Sequence, residues 1–414
     1  MDNAQSLGLP DGWISQEEQS AFQNEFTIPA SIQNTLLPSP IISLKALASF
    51  ALPVMVEKST NRKYGTDYFT ANPSISITPP VLMRLQHLPM PEQSTIKELV
   101  EIGHQAWLNG AKSVRYAHLS NDSNTTDFPL WTITFWNRVL DAKEVSSKWI
   151  DSVDWVMAQL HQKKSEERQM LAEQAMLYIA ALPWAVNKPS GLSDSEPIHS
   201  LWRYLGPNWL SGSNQNDLLG LLRYQLAGQS NMTKIYRVEG TDTPQKILSV
   251  YRNRHKICYT EERSVEWLRT LANDLIKNEA TLITMQNLTN ITGSHHWVPL
   301  ALSVDKHSLL FGDSLGNEIP KELRMAYTWW MAQHDVSRNF ESDILMAVSS
   351  MSIGQQIDGH ACGILAINAL HHLIEPNRTL LNSGSIGDVV KERLALFNMV
   401  ASNIIRRVSK QVKY

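Results

Sequence analysis

The chain has 414 residues, of which 43% are hydrophobic, enough for two or three domains with real cores. Its 37 basic and 40 acidic residues nearly cancel, and they are not clustered as a nucleic-acid-binding surface requires, so no nucleic-acid partner is expected. Two cysteines, Cys258 and Cys362, are too few for a disulfide scaffold or a zinc site, and they suit a reducing compartment, nuclear or cytoplasmic.

Met1 to Gln19 is polar and acidic without the apolar segment of a signal peptide. The most apolar stretch, Ala46 to Val56, is short and broken by Pro53, so no membrane span is expected. Thr95 and Glu98 are spaced as a capping box, and Ile96, Leu99, Val100 and Trp107 follow at helical spacing, which predicts a helix over 95–112. Trp149, Val153, Val156, Met157 and Leu160 mark a second amphipathic helix. Glu166 to Leu182 reads as a third, ending before Pro183. Aromatics at helical spacing fill cores more often than they line ligand sites, so Trp107, Trp131, Trp136, Trp149 and Trp155 are read as core. The segment 187–197, NKPSGLSDSEP, has the composition of a loop or linker and sets the expected boundary. Residues 1–190 are thus expected to be a mainly helical region without a legible function, and residues 191–414 a separate domain.

Beyond that boundary the pattern is mixed. Leu218 to Leu226 and Ser264 to Asn278 read as helices, and Thr281 to Leu288 as a strand. Trp297 to Val304 and Ser308 to Phe311 are β-prone runs joined by the turn-forming Asp305-Lys306-His307, which predicts a hairpin. Cys362 to Ile374 is a nearly all-apolar helix. A last helix from near Ser385 carries Val389, Val390, Leu394, Phe397, Val400 and Ile404 on one face. Its basic end, with Arg406, Arg407, Lys410 and Lys413, is read as a solvated helix face, with a targeting or nucleic-acid role as the alternative. The C-terminal half is α+β.

Chemistry concentrates in the order His296, Asp313, Gln356, Cys362. Antiparallel partners count outward from a turn, so folding the hairpin about Asp305-Lys306 places residue 296 opposite residue 313 to within about two positions. A carboxylate at 313 is then able to orient one ring nitrogen of His296 and leave the other for a nucleophile. Cys362 opens a helix, where unpaired N–H groups and the positive end of the helix dipole favour a thiolate and a developing oxyanion. Gln356, in the loop Gly354-Gln355-Gln356-Ile357-Asp358-Gly359, adds a side-chain donor, and the two glycines permit a tight path. Each residue alone has a bland reading as core, turn or solvated loop. Their conjunction in one order is what points to catalysis.

The motifs His296-Trp297, Asp313-Ser314-Leu315 and Gln356-x-Asp358-x-x-x-Cys362-Gly363, with their mutual spacing, resemble the ubiquitin-like-protein-specific (SUMO or sentrin) cysteine proteases. The resemblance covers about residues 200–375. It implies a papain-like domain, with the Cys-bearing helix packed on a central sheet that carries His and Asp, and cleavage after the Gly-Gly end of a ubiquitin-like modifier. In that family two Trp residues enclose the narrow tail. Trp297 matches one, and Trp209-Leu210 followed by Asn216-Asp217 resembles the segment that supplies the other together with an acidic position. Trp209, Trp297 and Asp217 are therefore expected at the substrate. Ala361 departs from the Asp usual before the Cys. Pro299 lies within the strand after the His, which suggests an edge or a bulge. His296 and Gln356, rather than His295 and Gln355, carry the family register.

A peptidase or isopeptidase of this type needs no cofactor and no metal, and its expected partner is a SUMO-type modifier or its conjugates. Two alternatives remain at this level: an acyltransferase on the same fold, against which the acid counts because it is Asp rather than Glu, and a catalytically silent modifier-binding scaffold.

Overall fold

The computed structural model describes residues 15–56, 65–116, 126–162, 165–192, 196–229, 232–334, 345–381 and 385–411. Most of the polar N-terminal stretch, residues 193–195 of the expected linker and Lys413 of the basic tail lie outside them. The chain divides into two compact units, Met1–Ile150 and Asp151–Tyr414.

The first unit contains α1 (Gln16–Phe26), α2 (Ala30–Leu36), α3 (Leu44–Ala48), α4 (Pro79–His87), α5 (Gln93–Leu108) and the greater part of α6 (Trp131–Leu160). The N-cap hydroxyl of Ser15 and the carboxylate of Glu18 close a capping box at the start of α1. A small antiparallel sheet of β1 (Phe69–Thr70), β2 (Ser113–Tyr116) and β3 (Thr126–Phe128) was not expected, because strands of this length carry no readable alternation. The box anticipated at Thr95 is absent. Helix α5 starts two residues earlier, and Glu98 instead accepts a hydrogen bond of 2.8 Å from the Gly65 N–H. Trp131 and Trp136 are buried with Phe22, Phe26, Ile96, Leu99 and Phe128, and Trp149 is buried as well, as the core reading required, whereas Trp155 is half-buried. Trp107 is half-buried, edge-on to Phe22.

The second unit starts within α6, so the compositional break at 187–197 is not where the units divide. The reason is packing. Helix α7 (Glu166–Ala181) lies on the C-terminal helix α15 (Ile386–Gln411), with the Leu171 carbonyl accepting from Asn398 Nδ2 at 2.9 Å and Lys391 paired with Glu167. The Pro- and Gly-containing segment is itself anchored. The Val186 carbonyl accepts from Ile198 N, and Lys188 is fully buried against Asp217.

A sheet forms the middle of this unit in the order β4 (Tyr236–Val238), β5 (Thr281–Asn287), β6 (Trp297–Ser303), β7 (Ser308–Phe311) and β8 (Ala347–Ser350). The β5–β6 and β6–β7 pairs are antiparallel and the two outer pairs are parallel. Every residue of β6 is buried, because helices cover both faces. One face packs Val298, Leu300, Leu302 and Leu309 against α10 (Asp242–Arg252), α11 (Glu266–Asn278) and α13 (Lys321–Ala332). The other receives α14 (Cys362–Ile374), which packs on β6 and on α8 (Gly212–Ala227). The arrangement expected of a papain-like α+β domain, a Cys-bearing helix laid on a central sheet, is present. Pro299 sits in a central strand rather than at an edge. Its carbonyl faces Gly312, one residue past the end of β7, so the donor that proline lacks falls where the ladder has already stopped. Among the described residues no helix is long and apolar enough to cross a membrane.

Candidate active site

The β6–β7 hairpin pairs Ser303 with Ser308 and Leu300 with Phe311, around a turn in which His307 takes a φ of 48°. Counting outward, His296 stands just before β6 and Asp313 just after β7. The two side chains meet, with His296 Nε2 and Asp313 Oδ1 2.7 Å apart. Asp313 Oδ1 also accepts from the Leu315 N–H at 2.7 Å, and Oδ2 from Asn317 Nδ2 at 3.1 Å. Burial alone would raise the carboxyl pKa, but these donors, His296 foremost, hold it below the usual carboxylate value.

With Nε2 committed to Asp313, Nδ1 is the ring nitrogen left for a nucleophile, and Cys362 is close enough to influence the charge of the ring. Burial works to lower the His296 pKa. Hydrogen bonds and charge attraction from Asp313 and then Cys362 outweigh it and push the pKa up to about 9. At neutral pH the ring is therefore protonated beside the sulfur, which is the condition for a thiolate–imidazolium pair.

Cys362 is the first residue of α14 and is 3% exposed. The N-cap position, Ala361, offers no side-chain cap. Asp358 fixes the turn before it, its Oδ1 accepting from the N–H groups of His360 (2.9 Å) and Ala361 (2.7 Å). In the first turn the Ile364 N–H already donates to the Ala361 carbonyl at 2.9 Å, so the N–H groups of Cys362 and Gly363 are the ones that open the helix toward a ligand. Gly363 lies against the buried Gln215 on α8, and a Cβ there would overlap its Nε2 unless that side chain shifted. Gly354 is required by its close approach to the Leu381 carbonyl. Gly359 has open space around its Cα and normal backbone angles, so the tight path expected there needs no glycine.

Gln356 is half-buried. Its Nε2 donates to the Asp358 carbonyl at 2.7 Å and its Oε1 accepts from Ser314 Oγ at 3.1 Å, while its own N–H donates to the Ser314 carbonyl at 2.7 Å. These bonds tie the Cys-bearing loop to the Asp-bearing one. One N–H of the amide remains beyond them. Of the doubled pairs, His296 is buried, whereas His295 is exposed and shares a hydrogen bond of 3.0 Å with Thr289 Oγ1.

The two tryptophans differ in exposure. Trp297 is 6% exposed, and its Nε1 donates to the Leu210 carbonyl at 2.9 Å. Trp209 is 44% exposed. Its Nε1 donates to the Gly359 carbonyl and its ring lies 5.5 Å from that of His295, so it touches both the Cys loop and the His loop. Asp217 is not at this mouth. It is fully buried, 2.6 Å from Lys188 Nζ, which also donates to Ser213 Oγ, and it is unavailable to a substrate. The residue holds the 187–192 strap to α8.

No family model and no curated protein matches this chain. Solved structures similar to it include the C-terminal Ulp1 protease domain in complex with Smt3, the yeast ortholog of SUMO. That structure is 12% identical, with a TM-score of 0.40, over 56% of this chain and 95% of the other. The Ulp1-like SUMO protease catalytic domain of Chaetomium thermophilum is 13% identical, with a TM-score of 0.32, over 59% and 90%. The Chlamydia trachomatis effector Cdu1 bound to ubiquitin is 16% identical, with a TM-score of 0.27, over 48% and 93%.

Sequence reading passed over Asn317, the third donor to Asp313, as well as Gln215 and Arg393. Asn317 sits four residues after the acid in a loop of turn composition and gives no signal. Gln215 and Arg393 do: each is a polar residue at a position that helical spacing assigns to an apolar face.

Proposed function

We propose that this protein is a thiol peptidase or isopeptidase that cleaves after the C-terminal Gly-Gly of SUMO or another ubiquitin-like modifier. The observation that carries the reading is His296 bonded through Nε2 to Asp313 at 2.7 Å, with Cys362 near enough to help raise the pKa of the ring. In this reading the Cys362 thiolate attacks the terminal glycine carbonyl, forming a C–S bond and a tetrahedral oxyanion. Gln356 and the first N–H groups of α14 hold that oxyanion. As it collapses, the imidazolium gives its proton to the departing amine. Neutral His296 then takes a proton from water, whose oxygen displaces the sulfur and releases the modifier. In this reading Trp209, bonded to the Gly359 carbonyl, and Trp297, directly after His296, border the path of a glycine tail that has no side chains to accommodate. Asp313 keeps the ring in register and stabilises its charge.

The test uses SUMO and ubiquitin carrying a C-terminal fluorogenic amide, and the same modifiers carrying a C-terminal electrophile. Wild-type protein is expected to release the fluorophore and to form a covalent adduct at Cys362, and Cys362→Ala to do neither while still binding the modifier. Turnover by Cys362→Ala, or acetyl transfer from coenzyme A with no amide cleavage, would overturn the assignment.

A further inference from the structure

Arg393, on α15, is 1% exposed, and its guanidinium forms no ion pair with a carboxylate among the described residues. Its Nη1 donates to the Arg203 carbonyl at 3.2 Å. Its Nη2 donates to the Asn208 carbonyl at 2.7 Å and the His360 carbonyl at 3.1 Å, and lies 3.2 Å from His360 Nδ1. Nε has no partner. Because a guanidinium only donates, His360 Nδ1 is the acceptor of that contact; burial and the guanidinium lower the His360 pKa, while the Asp358 carboxylate 3.4 Å from the same nitrogen raises it.

The positions of these acceptors matter. Asn208 directly precedes Trp209, and His360 lies two residues before Cys362. One planar cation therefore joins the segment that leads to Trp209 with the turn that leads to Cys362, the same two segments that the Trp209–Gly359 bond joins. A buried cation left unpaired costs several kcal/mol, so its retention calls for compensating negative charge. Burial lowers the Arg393 pKa to about 10, and the opposing influences come from Asp358 and the sulfur of Cys362. The guanidinium is thus a buried positive charge bonded to His360, two residues before Cys362. Asp358, tied up capping the turn, is the other anion in reach.

We propose that Arg393 is a positioning residue for the thiol: it locks the Asn208–Trp209 backbone to the His360–Cys362 turn and supplies a buried positive charge that favours the Cys362 thiolate. This extends the catalytic apparatus to the C-terminal helix and rests on the reading of Cys362 as the nucleophile.

The experiment uses the full chain in a Cys258→Ser background, since Cys258 is exposed and would also react. Alkylation of Cys362 by iodoacetamide is followed by mass spectrometry from pH 5 to 10, with no modifier required. Arg393→Met is expected to move the alkylation profile about one pH unit upward and to lower kcat for the fluorogenic modifier about tenfold. Arg393→Lys, which keeps a charge but loses the planar fork, is expected to keep the alkylation profile near wild type while raising KM about tenfold. Folded variants with wild-type profiles and wild-type kcat and KM, or both variants losing only thermal stability, would overturn the proposal. If Arg393→Met is not folded, the KM of Arg393→Lys decides. An Arg393-dependent alkylation profile in a protein that cleaves no modifier would sustain this inference and sink the proposed substrate.

Discussion

Asp313→Asn probes the centre of the site with almost no change of shape. The difference between the ordinary histidine pKa of 6.5 and the value of about 9 at His296 corresponds to roughly 3 kcal/mol in favour of the charged ring. Two partners raise that pKa, Asp313 and Cys362, and in both hydrogen bonding and charge attraction Asp313 contributes more. Much of that preference, on the order of 2 kcal/mol, therefore disappears when the carboxylate becomes an amide. The population of the thiolate–imidazolium pair should fall about twentyfold or more, and the alkaline limb of kcat/KM, set by loss of the imidazolium proton near pH 9, should move down by more than one pH unit. The NMR titration of the His296 ring gives the same quantity without substrate. Stability carries the matching signature. Folded His296 keeps its proton up to about 9 whereas an unfolded histidine releases it near 6.5, so the added stability is full below pH 6.5 and gone as pH rises past 9. Asp313, with its pKa lowered, contributes in the opposite sense, above its unfolded pKa, and loses that contribution as pH falls. An Asp313→Asn protein with its alkaline limb still near pH 9 would show that the 2.7 Å contact does not charge the ring.

Removing one member of the buried Lys188–Asp217 pair strands the other, so Lys188→Met should cost about 3–5 kcal/mol in urea unfolding, with much of the loss recovered in Lys188→Met/Asp217→Leu. A double variant no more stable than the single would contradict the burial argument. Gly363→Ala forces a Cβ onto Gln215 and should cost about 1–3 kcal/mol, most of it regained when Gln215→Ala is added; Gln215→Met alone should stabilise by about 1 kcal/mol, because both amide atoms are buried without partners. Calorimetry of the three proteins checks the set. Trp209→Ala, which removes a half-exposed ring bonded to the Gly359 carbonyl, should raise KM for the modifier substrate at least about tenfold and leave the melting temperature nearly unchanged.

What could be read from the sequence was whatever local geometry determines. The β6–β7 hairpin, α7 and α14 have the boundaries that turn chemistry and periodicity assign, and the meeting of His296 with Asp313 follows from counting residues about one turn. The unit boundary was not legible, because Pro, Gly and Ser in the 187–197 segment report on backbone conformation and not on attachment. Its anchors, Asp217, Ile198 and Arg407, are distant in sequence or fully buried. Strands β4 and β8, of three and four residues, pair in parallel at the two ends of the sheet, where the partner and not the segment decides the structure. Asp217 shows the same limit: its type and place near Trp209 suited a substrate contact, and only the arrival of Lys188 on it turns it inward.

The last helix carries this point into the chemistry. Apolar spacing through Val390, Leu394 and Phe397 passes through position 393, where a leucine would satisfy the pattern and an arginine sits instead. A polar interruption on a buried stripe has two physical outcomes: it unpacks the helix or it finds acceptors. Arg393 finds three carbonyls and an imidazole, from segments at 203–208 and 360, none of which has helical spacing to it. Because those two segments adjoin Trp209 and Cys362, the cation finds its acceptors only when both are brought together. The core of the second unit and the surroundings of Cys362 are therefore coupled, and a substitution at 393 should move the pH profile of Cys362 and the melting curve together. Substitutions of equal cost on the opposite face of the sheet, such as Leu300→Ala, should move only the melting curve.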